Sequence, residues 1–178
     1  MVIHIGRCDP RNAVARSTLY MLLAKYLMRS VLHCGFVAAF GCGGMTPTDE
    51  VVDCSTTTDV DTFVVGLEHR GVAGKFQFAL MAIDPAPAVR GDNTWIVRVD
   101  RLTQGAVEAP IDGATISVSP YMPSHMHYTP ITAQITPLTG GQYELRPVNL
   151  WMPGVWETTI QATSGGDSDR AIYKFCIQ

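Results

Sequence analysis

The chain after residue 42 has few cations: 8 Lys and Arg stand against 15 Asp and Glu, a net charge of −7, where the whole chain has −3. Because a nucleic-acid surface needs a basic patch to neutralise phosphates, this balance excludes a nucleic-acid partner. Long apolar runs are also missing near the N-terminus. The uncharged stretch there, residues 30–41, has 12 residues, well short of the roughly 20 that span a bilayer.

Motifs for catalysis are missing as well. The sequence has no Gly-x-Ser-x-Gly elbow, no His-Glu-x-x-His helix and no glycine-rich phosphate loop after a strand. Ser124 and His125 are sequence neighbours, which is not the geometry of a nucleophile and its base. Asp167 and Asp169 lie in a Gly/Ser turn and are typical of a hairpin, with Ca²⁺ binding a remote alternative. We therefore expect a non-enzyme, with an unrecognised hydrolase as the remote alternative.

Residues 1–42 have the pattern of an export signal. Residues 1–29 contain five basic residues and one acid. The short uncharged run follows, and small residues come directly after it at Cys42-Gly43-Gly44. This ending resembles a bacterial lipobox, so Cys42 is predicted to be lipidated and to anchor the protein to the membrane. Simple secretion and a cytoplasmic helix are the alternatives. Met28-Arg29 followed by the apolar run is a complete signal by itself, so Met28 is a second candidate for the translation start.

Two of the five cysteines, Cys54 and Cys176, lie beyond the predicted leader. An even number of cysteines in an exported protein is typical of disulfide bonding, and we expect these two cysteines to be bonded. Two free thiols are the alternative. Metal ligation by these cysteines is a weaker interpretation, because neither belongs to a short Cys-x-x-Cys pair.

Residues 43–61 are rich in Gly, Thr, Ser and Asp and are predicted to form a flexible linker. Residues 62–178 then alternate apolar and polar positions between Gly- and Pro-containing turns, without a helical period. We expect an all-β, immunoglobulin-like antiparallel sandwich of seven or eight strands, with Trp95 and Trp156 filling its core. The predicted strands are 62–67, 75–83, 94–100, 114–119, 131–136, 142–146, 155–162 and 171–177.

The segment Met122-Pro123-Ser124-His125-Met126-His127 concentrates soft metal ligands between two predicted strands. Thioether sulfur and imidazole nitrogen together suit copper, above all Cu(I). The predicted ligands are Met122, His125 and His127, with Met152 from a later loop. The alternative is a packed structural corner without metal. His69, beside Glu68 and Arg70, is expected to be a solvated surface histidine.

Five elements of the sequence together resemble the YtkA-like/FixH-like family of exported or membrane-anchored β-sandwich domains, over about residues 76–177. They are Asp92-Asn93-Thr94-Trp95, Ile111-Asp112-Gly113-Ala114, the segment Met122–His127, Gly141-Gln142-Tyr143 and Leu150-Trp151-Met152-Pro153-Gly154-Val155-Trp156. The resemblance implies the fold and export. For function it suggests copper handling or the assembly of copper-containing oxidases, but the sequence is expected to lack the transmembrane anchor of FixH itself, which disfavours a direct role in oxidase assembly.

The expected function is therefore that of an exported, lipid-anchored binding protein of the bacterial cell envelope, periplasmic or associated with the outer membrane, that handles copper through the Met/His turn. The alternative is a structural or protein-interaction module of the envelope, with an unidentified protein partner and no metal.

Overall fold

The computed structural model describes residues 52–178, whose regular structure is almost entirely β-strand. The strands pair antiparallel in two sheets, which confirms the predicted all-β sandwich. A 3-10 turn, Cys54–Thr56, precedes β1 (Leu67–Arg70), β2 (Phe76–Asp84), β3 (Gly91–Thr103), β4 (Ala106–Pro110), β5 (Thr115–Met122), β6 (His127–Tyr128), β7 (Gln134–Pro137), β8 (Gln142–Leu150), β9 (Gly154–Ser164) and β10 (Asp167–Ile177).

One sheet has the order β1-β2-β3-β8-β7, with β4 paired to β3, and the other has the order β10-β9-β5-β6. Inward-facing residues of the longer strands β2, β3, β5, β8, β9 and β10 form one core between the two sheets. Trp95 and Trp156 are both fully buried, so the prediction that they fill the core is confirmed. Trp95 on β3 meets Phe175 on β10 edge to face, with ring centroids 5.5 Å apart, and this contact joins the two sheets.

Within residues 52–178 the structure has ten strands where seven or eight were predicted, and the two-residue strand β6 is one of those that the prediction lacked. The run 62–67 was expected to be a strand, but β1 begins only at Leu67, after a turn in which the N–H of Leu67 donates to the carbonyl of Val64 at 3.0 Å. Val64 and Val65 are exposed, so their apolar character does not mark a buried face. The sequence also gave no sign of β4, because all five of its residues are exposed and show no alternation.

Residues 52–61, which we call the strap, are fastened to β10. Cys54 and Cys176 form the predicted disulfide, with Cα atoms 5.6 Å apart. The N–H of Asp61 donates to the carbonyl of Lys174 at 2.7 Å, and the N–H of Lys174 donates to Oδ2 of Asp61 at 2.8 Å. The strap is therefore tied to β10 through Cys54 and Asp61.

The expectation that Asp169 is only a hairpin-turn residue was wrong. Asp169 is buried on β10, and its carboxylate fastens the turn between β1 and β2. Burial raises its pKa, but the backbone donors together outweigh burial and hold the pKa of Asp169 below its ordinary value. Asp167 instead pairs with Arg101 at 3.1 Å. The four backbone N–H groups that donate to Asp169 are those of Ala73 at 2.7 Å, Lys75 at 2.8 Å, Phe76 at 3.1 Å and Arg170 at 2.8 Å.

The predicted leader (1–42), the lipidation candidate Cys42 and residues 43–51 of the predicted linker lie outside the described residues. Within residues 52–178, no helix has the length and apolar character needed to cross a membrane.

Candidate functional site

The Met/His turn, residues 122–127, is a tight hairpin between β5 and β6. Met122 ends β5 and is the cross-strand partner of His127, which begins β6. The N–H of His125 donates to the carbonyl of Met122 at 3.2 Å, and Met126 has a left-handed backbone with a φ of 55°. Because cross-strand partners project to the same side of a sheet, the Met122 and His127 side chains share one face.

The ring of His127 is packed between two indoles. It stacks on Trp151, with centroids 5.2 Å apart and 25° between the planes, and meets Trp156 at 5.9 Å in a T-shaped contact. Nδ1 of His127 lies 3.3 Å from the carbonyl oxygen of Tyr128. A carbonyl oxygen can only accept, so this contact is a hydrogen bond only in the tautomer that has the proton on Nδ1. Nε2 is buried and has no hydrogen-bond partner among residues 52–178.

Met122 lies at the edge of the core and is 1% exposed. Its terminal methyl occupies the space where a side chain at residue 154 would begin, and that residue is Gly154, with a φ of 130°. Glycine is therefore needed here both for the backbone conformation and for the room that the Met122 side chain takes.

The other two predicted ligands are placed less closely. His125 is exposed, with its ring centroid 5.7 Å from that of His127. Met152 packs against the core from the loop between β8 and β9, and its carbonyl accepts from Nε1 of Trp156 at 2.9 Å. The stacking of His127 on Trp151 brings this loop against the Met/His turn, so the two loops meet at one end of the sandwich.

Across residues 52–178 there is no group of three or more His, Cys, Asp or Glu side chains that could hold a metal ion. A metal site at the Met/His turn would therefore depend on thioether sulfur in addition to the two imidazoles. That donor set favours a soft ion such as Cu(I) over Zn²⁺, Mg²⁺ or Ca²⁺.

A surface cleft of about 460 Å³ adjoins the turn. Its lining includes Met122 and His125 of the turn and Thr58 and Asp59 of the strap. Lys174, also in the lining, lies 2.8 Å from Oδ2 of Asp59 and 3.4 Å from Oε1 of Glu157. The hydrogen bonds that Lys174 donates to Asp59 and, to a smaller extent, to Glu157 raise the pKa of Lys174, so this ammonium stays charged.

His69, which was expected to be a solvated surface histidine, is partly exposed and also has two partners in the fold. Its Nε2 lies 3.0 Å from Oδ1 of Asp61, and its ring packs on Tyr173 with centroids 4.5 Å apart. The hydroxyl of Tyr173 donates to the carbonyl of Phe78 at 3.0 Å, and burial raises the pKa of Tyr173. The sequence could not show this arrangement, because it joins the strap, β1, β2 and β10.

Comparison with known proteins gives one match. A family model described as YtkA-like matches residues 72–161, which is half of the 178-residue chain. The matched range contains both the Met/His turn and the loop with Met152, while the strap and β10 lie outside it. No curated protein and no solved structure matches this chain.

Proposed function

This chain belongs to the YtkA-like family, and from that membership and the geometry of the Met/His turn we propose that it is an exported, lipid-anchored copper-binding protein of the bacterial cell envelope. It is a binding protein and not an enzyme in this proposal. Cys42 carries the anchor, and the sandwich presents the copper site. The ligands are His127 and Met122, with His125 and Met152 completing the set.

The observation that carries the copper proposal is the environment of the two ring nitrogens of His127. Its Nδ1 lies within hydrogen-bond distance of the Tyr128 carbonyl oxygen, and its Nε2 is buried without a hydrogen-bond partner in the described part of the chain. Imidazoles that ligate metals commonly have their second nitrogen held by a backbone carbonyl or carboxylate in this way. An unpaired buried acceptor is also costly, and a metal ion would satisfy it.

The surroundings of His127 fit a soft monovalent ion. Met122 supplies a thioether, which prefers Cu(I) to hard cations. Copper bound there would be a positive charge held by neutral ligands. Trp151 and Trp156 cover the imidazole and limit the access of water to Nε2, while Tyr128 fixes the tautomer that leaves Nε2 free to bind.

Export is supported by independent features. The leader pattern places a cysteine after a short apolar run, and the Cys54–Cys176 disulfide is typical of an oxidising compartment. Mass spectrometry of the membrane fraction should find a lipid-modified Cys42 at the mature N-terminus. The Cys42→Ser variant should leave the membrane fraction, and its retention there would count against the anchor.

Copper binding is tested by titrating the purified protein with Cu(I) and with Cu(II) under conditions that keep the disulfide intact. We expect one Cu(I) ion per chain. The double variant His125→Ala/His127→Ala should lose binding and keep the fold, while the matched control His69→Ala should keep both. Binding by the double variant equal to that of the parent would refute the assignment.

A second candidate function is a structural or interaction module whose turn is only packed. The full burial of Trp156 and Met122 favours it, because the packing of His127 against this core gives the turn a stabilising role by itself. Absence of copper binding by the parent, together with loss of stability in the double variant, would support this candidate.

A further inference from the structure

We propose that Cys54 and Cys176, when their disulfide is reduced, form a second Cu(I) site in which two thiolates hold the ion. This site is separate from the Met/His turn, and it makes the copper capacity of the protein depend on its redox state. The two cysteines are 122 residues apart in sequence, but their Cα atoms lie 5.6 Å apart. The fold therefore supplies the close pair of sulfur atoms that the sequence lacks as a Cys-x-x-Cys motif.

The disulfide lies at the surface of the sandwich. Cys54 and Cys176 are both partly exposed, and both line a cleft of about 250 Å³. Disulfides that a thiol can reach are the ones that exchange, whereas a bond enclosed in the core is protected. The cleft gives a reductant access to the bond, and it leaves room for an ion beside the two sulfur atoms.

Contacts that do not involve sulfur keep the two cysteines together after the bond is broken. Cys176 is held in β10 by the pairing of that strand with β9. Cys54 belongs to the strap, which two hydrogen bonds between Asp61 and Lys174 fasten to β10. The ion pair between Lys174 and Asp59, at 2.8 Å, is a third tie. The two thiols therefore remain neighbours in the reduced protein and can bind one ion jointly.

The reduction balances when the reductant is a dithiol. A thiolate of the reductant attacks Sγ of Cys54, the bond between the cysteines breaks, and Cys176 leaves as a thiolate. The hydroxyl of Thr57 lies 3.7 Å from Sγ of Cys176 and donates to it, because a disulfide sulfur has no hydrogen. This hydroxyl stabilises the charge on the leaving sulfur. The second thiolate of the reductant then displaces Cys54, so the reductant becomes a disulfide and the two cysteines gain two electrons and two protons.

Two thiolates suit Cu(I) better than the other common metal ions. Thiolate sulfur is a soft ligand that selects Cu(I), and two such ligands suffice for this ion. A structural Zn²⁺ site needs four ligands. Residues 52–178 offer no group of three or more His, Cys, Asp or Glu side chains that could hold an ion. Because each thiol loses its proton on binding, loading the site releases two protons for each ion.

The cysteine pair is placed near the Met/His turn. Cys176 lies opposite Val155 on β9, and the terminal methyl of Met122 fills the space beside the preceding residue, Gly154. Both cysteines lie outside the matched range 72–161. The second site therefore belongs to the parts of this chain that flank the matched range, and it adjoins the first site.

The test uses the full chain with Cys8→Ser, Cys34→Ser and Cys42→Ser, so that only the Cys54–Cys176 pair can be reduced. Dithiothreitol is added without denaturant and is then removed in the absence of oxygen, and the free thiols are counted. The oxidised and reduced forms are titrated with Cu(I) against a chromophoric competitor. The matched control adds Cys54→Ser/Cys176→Ser to the same background, and urea unfolding checks that every form is folded.

We expect the reduced protein to bind one Cu(I) ion more than the oxidised protein and to release two protons with that ion. X-ray absorption should show sulfur as the only ligand type of the additional ion. The control should bind the same number of ions with and without dithiothreitol treatment.

Three results would overturn the proposal: equal copper binding by the reduced and oxidised protein, a disulfide that opens only in denaturant, and a reduced protein that is unfolded. An additional ion in the treated control would also overturn it, since that ion would not be on the cysteine pair. Copper binding by the oxidised protein reports on the Met/His turn alone, so its absence would remove the proposed function and leave this second site standing.

Discussion

His127 stacks on Trp151, with ring centroids 5.2 Å apart and 25° between the ring planes. This contact joins the hairpin of β5 and β6 to the loop between β8 and β9, so it brings together the two sequence segments that carry the candidate ligands. Trp151 remains 41% exposed. The contact therefore covers the imidazole from one side and leaves the outer face of the indole in solvent.

Trp151→Ala should lower the free energy of unfolding by about 0.5–1.5 kcal/mol beyond the loss of buried area, because the stacked ring pair is removed. Urea unfolding at neutral pH measures this difference. Val65→Ala, at an exposed site away from the turn, should change stability little. An unchanged midpoint for Trp151→Ala would show that the stacked pair does not form in solution.

Asp169→Asn should lower the free energy of unfolding at neutral pH by roughly 2–3 kcal/mol, because the amide cannot replace a carboxylate that accepts four backbone N–H groups. The folded pKa of Asp169 is lowered from 3.8, so its contribution is full above that value and is lost as pH falls through the lower folded pKa. The difference between parent and variant should therefore shrink in acid below pH 3.8. A difference that is constant across this range would contradict the assigned role.

Gly71→Ala should destabilise the protein by about 1–3 kcal/mol, because an added Cβ would overlap the carboxylate of Asp169. The overlap disappears when Asp169 is also truncated. In a double-mutant cycle, Gly71→Ala and Asp169→Ala should therefore be non-additive, with a coupling of about 0.5–3 kcal/mol. If the two stability effects were simply additive, the destabilisation by Gly71→Ala would come from the backbone alone and not from an overlap with Asp169.

Removing the disulfide with Cys54→Ser/Cys176→Ser should cost on the order of 4–5 kcal/mol in the chain-entropy model, since the bond closes a long loop. The two cysteines are 122 residues apart in sequence. Urea unfolding of the oxidised parent and of the variant gives the comparison. A loss below about 1 kcal/mol would mean that the two hydrogen bonds between Asp61 and Lys174 hold the strap without the disulfide.

Much of the fold was predictable from the sequence because burial alternates along several of the long strands, such as β3 and β9. The residues Trp95, Val97 and Val99 of β3 show that alternation and are fully buried. The exposed strand β4 has no such signal, and Asp169 finds three of its partners 93 to 96 residues away, where no local pattern can encode them. The polar strap resembles a linker in composition, yet a disulfide and pairs with Lys174 hold it.

The candidate site was predictable only in part, for a similar reason. Residue types and spacing pointed to Met122, His125 and His127. These residues are close in sequence, and the hairpin places Met122 opposite His127 and His125 near His127. The Tyr128 carbonyl that fixes the tautomer of His127, and the burial that leaves Nε2 unpaired, depend on tertiary packing. No motif in the sequence reports either of them.

The central claim, that Nε2 of His127 is the copper ligand, is tested most directly by NMR of the histidine side-chain nitrogens in isotope-labelled protein. Without metal, His127 should be the tautomer with the proton on Nδ1. Adding one equivalent of Cu(I) should shift the Nε2 resonance of His127 and leave Nδ1 protonated, while the nitrogens of His69 stay unchanged. A proton on Nε2 in the metal-free protein, or an Nε2 resonance that does not move when Cu(I) is added, would contradict the account.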